Sequence, residues 1–281
     1  MISKKCMLIC FIFMTLSCKR NEIKEDTEAK PALKENTGYT SIPFSIIENR
    51  VLIKKGNYTP LYGTKKSVDL ADDFMMDVYP VTNANYVAFV KCYPQWRRSN
   101  VKKMFADGNY LTTWKNDTTL EVGQLPNAPV TNVSWFAANA YCKSIGTRLP
   151  TMDEWEYVAM ANENSTDARK DSTYNQYILE WYEKQDTYKN EVGKTYKNRW
   201  GVYDMHGLVW EWTEDFNSVM LGGENRGDAG SDKNLFCGSG SLSANDLMNY
   251  AAFMRYAFRS SMKANYAVQN LGFRGVKDIK K

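Results

Sequence analysis

Residues 128–159, APVTNVSWFAANAYCKSIGTRLPTMDEWEYVA, decide how the rest of the chain is read. Ser134 is placed to cap a helix over the following WFAANAYCKS, because a serine hydroxyl can accept from the free backbone N–H groups of a first turn. Gly146 marks the stop, being the residue that adopts the left-handed conformation after a last turn at little cost. Thr151 with Glu154 three residues on forms a T-x-x-E capping box, and Trp155, Val158 and Ala159 then share one helical face. Working outward, residues 49–54 (NRVLIK) and 74–81 (FMMDVYPV) read as short strands, and Thr82 starts a helical run in which Tyr86, Phe89 and Val90 lie together. From Pro43 onward the elements are short and divided by polar loops, with no internal repeat and no βαβ rhythm. The expected class is a mixed, irregular, loop-rich α/β domain rather than a doubly wound sheet.

The composition is that of a globular protein: 281 residues, 43% apolar, 14% aromatic, with 36 basic against 32 acidic side chains. A formal charge of +4 with interspersed signs lacks the clustered basic face that nucleic acid requires, so no nucleic-acid partner is expected. The single histidine, His206, rules out any centre built from two or three imidazoles, and with it zinc proteases and three-histidine iron sites. Trp135, Trp155, Trp200, Trp210 and Trp212 are expected to supply large packing surfaces to a loop-rich body. Cys92, Cys142 and Cys237 form an odd set that allows at most one internal disulfide, and the spacing fixes no pairing. The serine- and glycine-rich stretch 238–243 matches neither a phosphate loop nor a nucleophile elbow and reads as a tight turn.

The N-terminal residues 1–18, MISKKCMLICFIFMTLSC, place Lys4 and Lys5 before an apolar run too short for a permanent membrane span. The stretch resembles a bacterial export signal. Its end, Thr15-Leu16-Ser17-Cys18, resembles a lipobox, although Thr15 stands where leucine is usual. The resemblance implies cleavage after residue 17 and a lipid on Cys18, with an ordinary cleaved signal or an uncleaved anchor as the alternatives. Residues 19–41 are polar, charged and without apolar periodicity, as a tether would be. The expected organisation is therefore a signal over 1–17, a lipidated cysteine and tether over 18–41, and a folded domain over 42–281. It places the protein in the cell envelope, on the outer membrane, facing the periplasm or the cell surface.

Four blocks in order, MMDVYPVTNANYVAFV (75–90), the 128–159 stretch, WGVYDMHGLVWEWTEDF (200–216) and NLGFRGV (270–276), resemble the formylglycine-generating enzyme, or sulfatase-modifying factor, family. The resemblance spans nearly the whole domain and implies that family's irregular α/β fold, related to C-type-lectin-like folds. Active members oxidise a client cysteine to formylglycine with oxygen and a copper(I) ion held by two cysteines. Counting back from Arg255 puts Asp246 and Ala251 at those positions, and residues 242–254 contain no cysteine. Cys237 lies on the other side of the glycines, so a two-thiolate copper(I) site is not expected. Cys142 corresponds to a cysteine whose disulfide partner in some members would fall at Tyr256. Arg148 and Arg274 sit at family positions, and as arginines expected to be buried they should take carboxylate or carbonyl partners that fasten loops together.

The resemblance also maps a structural calcium site onto the side chains of Asp204 and Glu211 and the carbonyls of Gly207 and Val209, hard oxygens of the kind calcium takes. Leu208 replaces the more usual asparagine there. The tyrosine-rich stretch 174–203 replaces much of a loop that is variable in the family. Tyr174, Tyr177, Trp181 and Tyr182 are its candidate partner-binding residues, since such rings give contact area at low entropic cost. The combined expectation is a lipid-anchored envelope protein whose catalytically degenerate domain binds a protein partner, in motility or secretion machinery or in maturation of a periplasmic metalloenzyme. A copper-dependent oxidase and a lectin-like ligand-binding module are the alternatives.

Overall fold

The computed structural model describes residues 49–60, 67–217 and 247–279. Cys18, the signal and tether expected over 1–41, Cys237, the 238–243 turn and Asp246 lie outside the described residues. Three strands form the main sheet, β1 (Arg50–Ile53), β4 (Phe74–Asp77) and β7 (Val276–Asp278), all antiparallel in the order β1-β4-β7. The short strands β2 (Asn57–Tyr58) and β3 (Val68–Asp69) pair with each other. Far along the chain, β5 (Trp210–Glu211) and β6 (Leu271–Gly272) make a two-residue parallel pair. Val51 opposes Met76, which in turn opposes Val276, so the first and last segments of the domain share one sheet.

The helix starts lie where the sequence places them. Thr82 caps α1 (Asn83–Cys92) by accepting from the amide of Asn85. Ser134 caps α2 (Trp135–Ser144) through the amide of Ala137, and Gly146 follows it with φ +69°. Thr151 and Glu154 form both halves of a capping box on α3 (Met152–Ala159), at 3.1 Å and 2.8 Å. Two longer helices complete the set among the described residues: α4 (Ser172–Glu183), capped by Asp171, and α5 (Leu247–Ser261). No described helix is long and apolar enough to cross a membrane.

Much of the interior is aromatic. Tyr86, Trp114, Tyr141, Trp212 and Phe273 centre the largest cluster, and the Tyr86 and Tyr110 hydroxyls meet at 2.8 Å within it. A second cluster gathers Ile53, Met76, Trp155, Val158, Met205 and Val276 between the sheet and α3. Cys142 is buried in the first cluster, and burial pushes its thiol well above the usual range. Cys92 is exposed, and neither thiol is in a disulfide.

Loops carry the remaining structure, and buried charge ties them together. Arg274 is wholly buried, gripping Glu211 at 2.8 Å through both Nε and Nη2. Its Nη1 and Nη2 also donate to the carbonyls of Asp77 and Tyr203, at 3.2 Å and 3.0 Å. A single guanidinium thus joins β4, β5 and the loop before it, the fastening role expected of this position. Arg148 does the same nearer the surface, donating to Glu154 at 2.7 Å and to Asp278 at 2.6 Å.

Candidate functional site

The paired-cysteine position leads to the face where α4 packs against α5. Ala251 is fully buried there among Ala168, Tyr174 and Ile178, and its carbonyl accepts from the Tyr182 hydroxyl at 3.2 Å. A methyl group offers no donor to a metal, so the described part of the position does not fit copper(I), an ion that prefers soft thiolates.

One and two helical turns further along α5, Arg255 and Arg259 turn onto the same carboxylate. Arg255 donates to Glu156 from Nε at 2.9 Å and from Nη2 at 2.7 Å, and Arg259 donates from Nη1 at 2.7 Å. All three side chains are buried. Burial alone would raise the Glu156 carboxyl, but the two guanidiniums outweigh it and hold it down to about 2. The face of Trp155 supports the cluster, with the Arg259 guanidinium 4.7 Å from its ring centroid. Arg255 also donates to the Tyr182 hydroxyl at 3.2 Å. Tyr182 stacks on half-buried Trp210 at 5.0 Å, and Phe258 lies 4.6 Å from Trp210.

The only imidazole does not add acid–base chemistry. His206 is fully buried against Trp155, Tyr174 and Trp181. Burial and the Arg255 charge push it down to about 3, so it is neutral near physiological pH. Its Nε2 lies 3.2 Å from the Ala159 carbonyl and so carries the proton, which leaves Nδ1 without a partner. A carboxylate ionised above about 2 and a histidine neutral above about 3 exchange no protons near pH 7. The cavity bordered by Glu156, Arg169, Arg255 and Tyr256 has an interior of only about 10 Å³, room for a water rather than a substrate. The arrangement holds Glu156, Arg255 and Arg259 in one buried ion-pair network.

The residues mapped to calcium lie in one loop but have separate partners. Asp204 is buried with φ +60°, and its oxygens accept from the Gly193 amide at 2.5 Å and from the Thr195 hydroxyl at 2.8 Å. Burial raises its carboxyl above the ordinary value despite these donors. Glu211 is occupied by Arg274 and by the Trp155 indole N–H, which donates to it at 2.8 Å. Gly207 has φ +99° and abuts the Tyr177 hydroxyl, so a side chain there would meet both backbone strain and a clash. Among the described residues no group of three or more His, Cys, Asp or Glu side chains is disposed to hold a metal ion.

The four aromatics of the tyrosine-rich stretch are placed on α4. Tyr174 and Trp181 are buried, and Tyr177 and Tyr182 half-buried, because α4 turns these rings toward α5 and the 204–211 loop. Tyr174 donates to the Ala159 carbonyl at 2.6 Å, Tyr177 to that of His206 at 3.3 Å, and the Trp181 indole to the Thr187 hydroxyl at 3.2 Å. Through these bonds the rings support the site from α4. Sequence reasoning missed Glu156, Arg255 and Arg259 as a unit. The available signal was the four-residue spacing of the two arginines, which puts them on one helical face with Ala251 and Ala252.

Comparisons with known proteins agree with the four sequence blocks. Residues 43–279 match the Sulfatase-modifying factor enzyme 1-like domain. The formylglycine-generating enzyme of Mus musculus is 30% identical over 249 residues, covering 74% of this chain and 66% of that protein. A second Mus musculus protein, inactive C-alpha-formylglycine-generating enzyme 2, is 28% identical over 158 residues, covering 52% of this chain and 48% of its own length. The serine/threonine-protein kinase pkn1 of Chlamydia caviae is 26% identical over 144 residues, which are 51% of this chain and 23% of that protein. The chain thus spans less than two thirds of the length of each of these relatives.

Proposed function

This chain belongs to the sulfatase-modifying factor enzyme 1-like family, and from that premise we propose that its domain is a binding or assembly module that has given up the family's oxidative chemistry. The observation that carries the reading is Ala251, a buried methyl group where a metal-binding thiolate would stand, with no cysteine anywhere in residues 242–254. The surroundings support it, since Glu156 and His206 are each fixed in one ionisation state near neutral pH. Membership alone implies no activity, because the similar proteins include one named as a formylglycine-generating enzyme and one named as inactive.

The module is held at the cell envelope by a lipid on Cys18 and a tether to residue 41, and its partner there is a protein. In this proposal calcium is a structural ion of the loop from Asp204 to Glu211, with Gly207 and Val209 giving carbonyls, and binding it requires Glu211 to release Arg274. Thermal unfolding with and without calcium reads that exchange.

The test of the function is mass spectrometry of a Cys-x-Pro-x-Arg peptide incubated with the whole protein, copper(I) and oxygen. The peptide thiol is expected to remain unconverted. Formylglycine at a rate that scales with protein concentration would overturn the proposal and establish the oxidase in its place.

A further inference from the structure

A groove of about 390 Å³ lies away from the Ala251 face, between the turn at residues 109–113 and the segment 267–269. Its polar lining is Asn109, Thr112, Thr113, Asn132 and Gln269, with Ala267 and Val268 giving a small apolar patch. No acidic or basic side chain lines it. Asn132 joins the two walls through its backbone, donating to the Val268 carbonyl at 3.0 Å and accepting from the Leu111 amide at 2.9 Å. It does so at φ +55°, a conformation that asparagine tolerates better than most residues. Asn132 as a residue is only 5% exposed, and its Oδ1 has no hydrogen-bond partner. Buried amide oxygens are ordinarily satisfied, and leaving one unpaired is costly. At the rim, Gln269 is steadied by its own bond to the Tyr188 hydroxyl, at 2.5 Å.

We propose that this groove binds an uncharged polyhydroxylated ligand, a saccharide unit. Carboxamides and threonine hydroxyls both donate and accept, which matches a ring of hydroxyls that also do both. A ligand hydroxyl can also meet the Asn132 carboxamide, one of the lining groups. The uncharged lining disfavours phosphates, metal ions and charged peptide termini, because each needs a countercharge when desolvated. An extended peptide would need a strand edge to pair with, and the groove walls are turns and loop. The volume lies in the range of small-ligand sites and suits about one or two sugar rings. None of these residues belongs to the Ala251 face, so the inference stands whether or not that face is catalytic.

Saturation-transfer NMR on the whole protein tests it, with methyl glucoside, methyl galactoside, methyl mannoside and N-acetylglucosamine as separate probes at about 10 mM, a concentration that detects millimolar binding. At least one probe should receive saturation. Its affinity should fall about tenfold in Thr113→Val/Gln269→Ala, which removes two polar partners at an unchanged melting temperature. If that variant loses its fold, Asn109→Ala, an exposed position, is read instead with the same expectation. No transfer to any of the four sugars would overturn the proposal. So would undiminished binding by the variant, or transfer only to a neutral capped dipeptide used as a control.

Discussion

Among the described residues, the buried carboxylate–guanidinium clusters of Arg274 and of Glu156 are built differently. In the first, Arg274 meets Glu211 one to one, both side chains are sealed from solvent, and spare guanidinium hydrogens go to backbone carbonyls. Charge and hydrogen bonding both close. In the second, one carboxylate, Glu156, faces two arginines, Arg255 and Arg259, and the excess positive charge rests on the Trp155 ring and the Tyr182 hydroxyl. A buried pair that closes locally is a fastening, whereas an excess charge must be propped up by its surroundings. The second cluster is the one beside Ala251, and there Tyr182 of α4 and the Trp155 ring hold the two arginines in place.

The largest expected effect breaks the first cluster. Arg274→Met should leave Glu211 buried and unpaired, lowering stability in urea by about 3–5 kcal/mol. Adding Glu211→Leu should recover part of that loss, because two apolar side chains leave no orphaned charge. If the double variant is no more stable than the single one, the carbonyl bonds of Arg274 matter more than its ion pair.

A pH series sharpens the contrast. The folded-state pKa of Glu156 lies below its unfolded value, so its contribution is fully present above about 4.5 and fades as pH falls toward about 2. At neutral pH Glu156→Gln should therefore cost about 3 kcal/mol, the free energy of a shift of that size. The gap between wild type and variant should close progressively below pH 4.5. A gap that stays constant down to pH 3 would mean that Glu156 contributes packing rather than charge. The smallest effect is at the start of α3: Thr151→Ala should lower stability in urea by about 1 kcal/mol through loss of the cap.

Local signals in the sequence reached some parts of this structure and not others. Ser134, Thr151 with Glu154, and Thr82 announce helix starts because a cap is a contact between neighbours in the chain. The strand β4 was legible from its bounded apolar run, and the fastening by Arg274 from the cost of burying a lone guanidinium. Helix α4 is hard to place from sequence because its apolar positions are largely tyrosine and tryptophan, residues equally at home on a binding surface. Only the packing against α5 decides that they point inward. The Glu156 cluster was hidden for another reason: its members are about 100 positions apart in sequence, and charged side chains carry no sign of burial until the elements that cover them are in place.

The most direct test of the central claim is copper(I) affinity, measured by competition with a chelator under anaerobic conditions, for the wild-type chain and for Asp246→Cys/Ala251→Cys. The wild type is expected to hold no copper(I) in the competition, and the double variant, with two thiolates restored, to take up one ion. One equivalent bound by the wild type itself would contradict the account and require a thiolate site elsewhere in the chain.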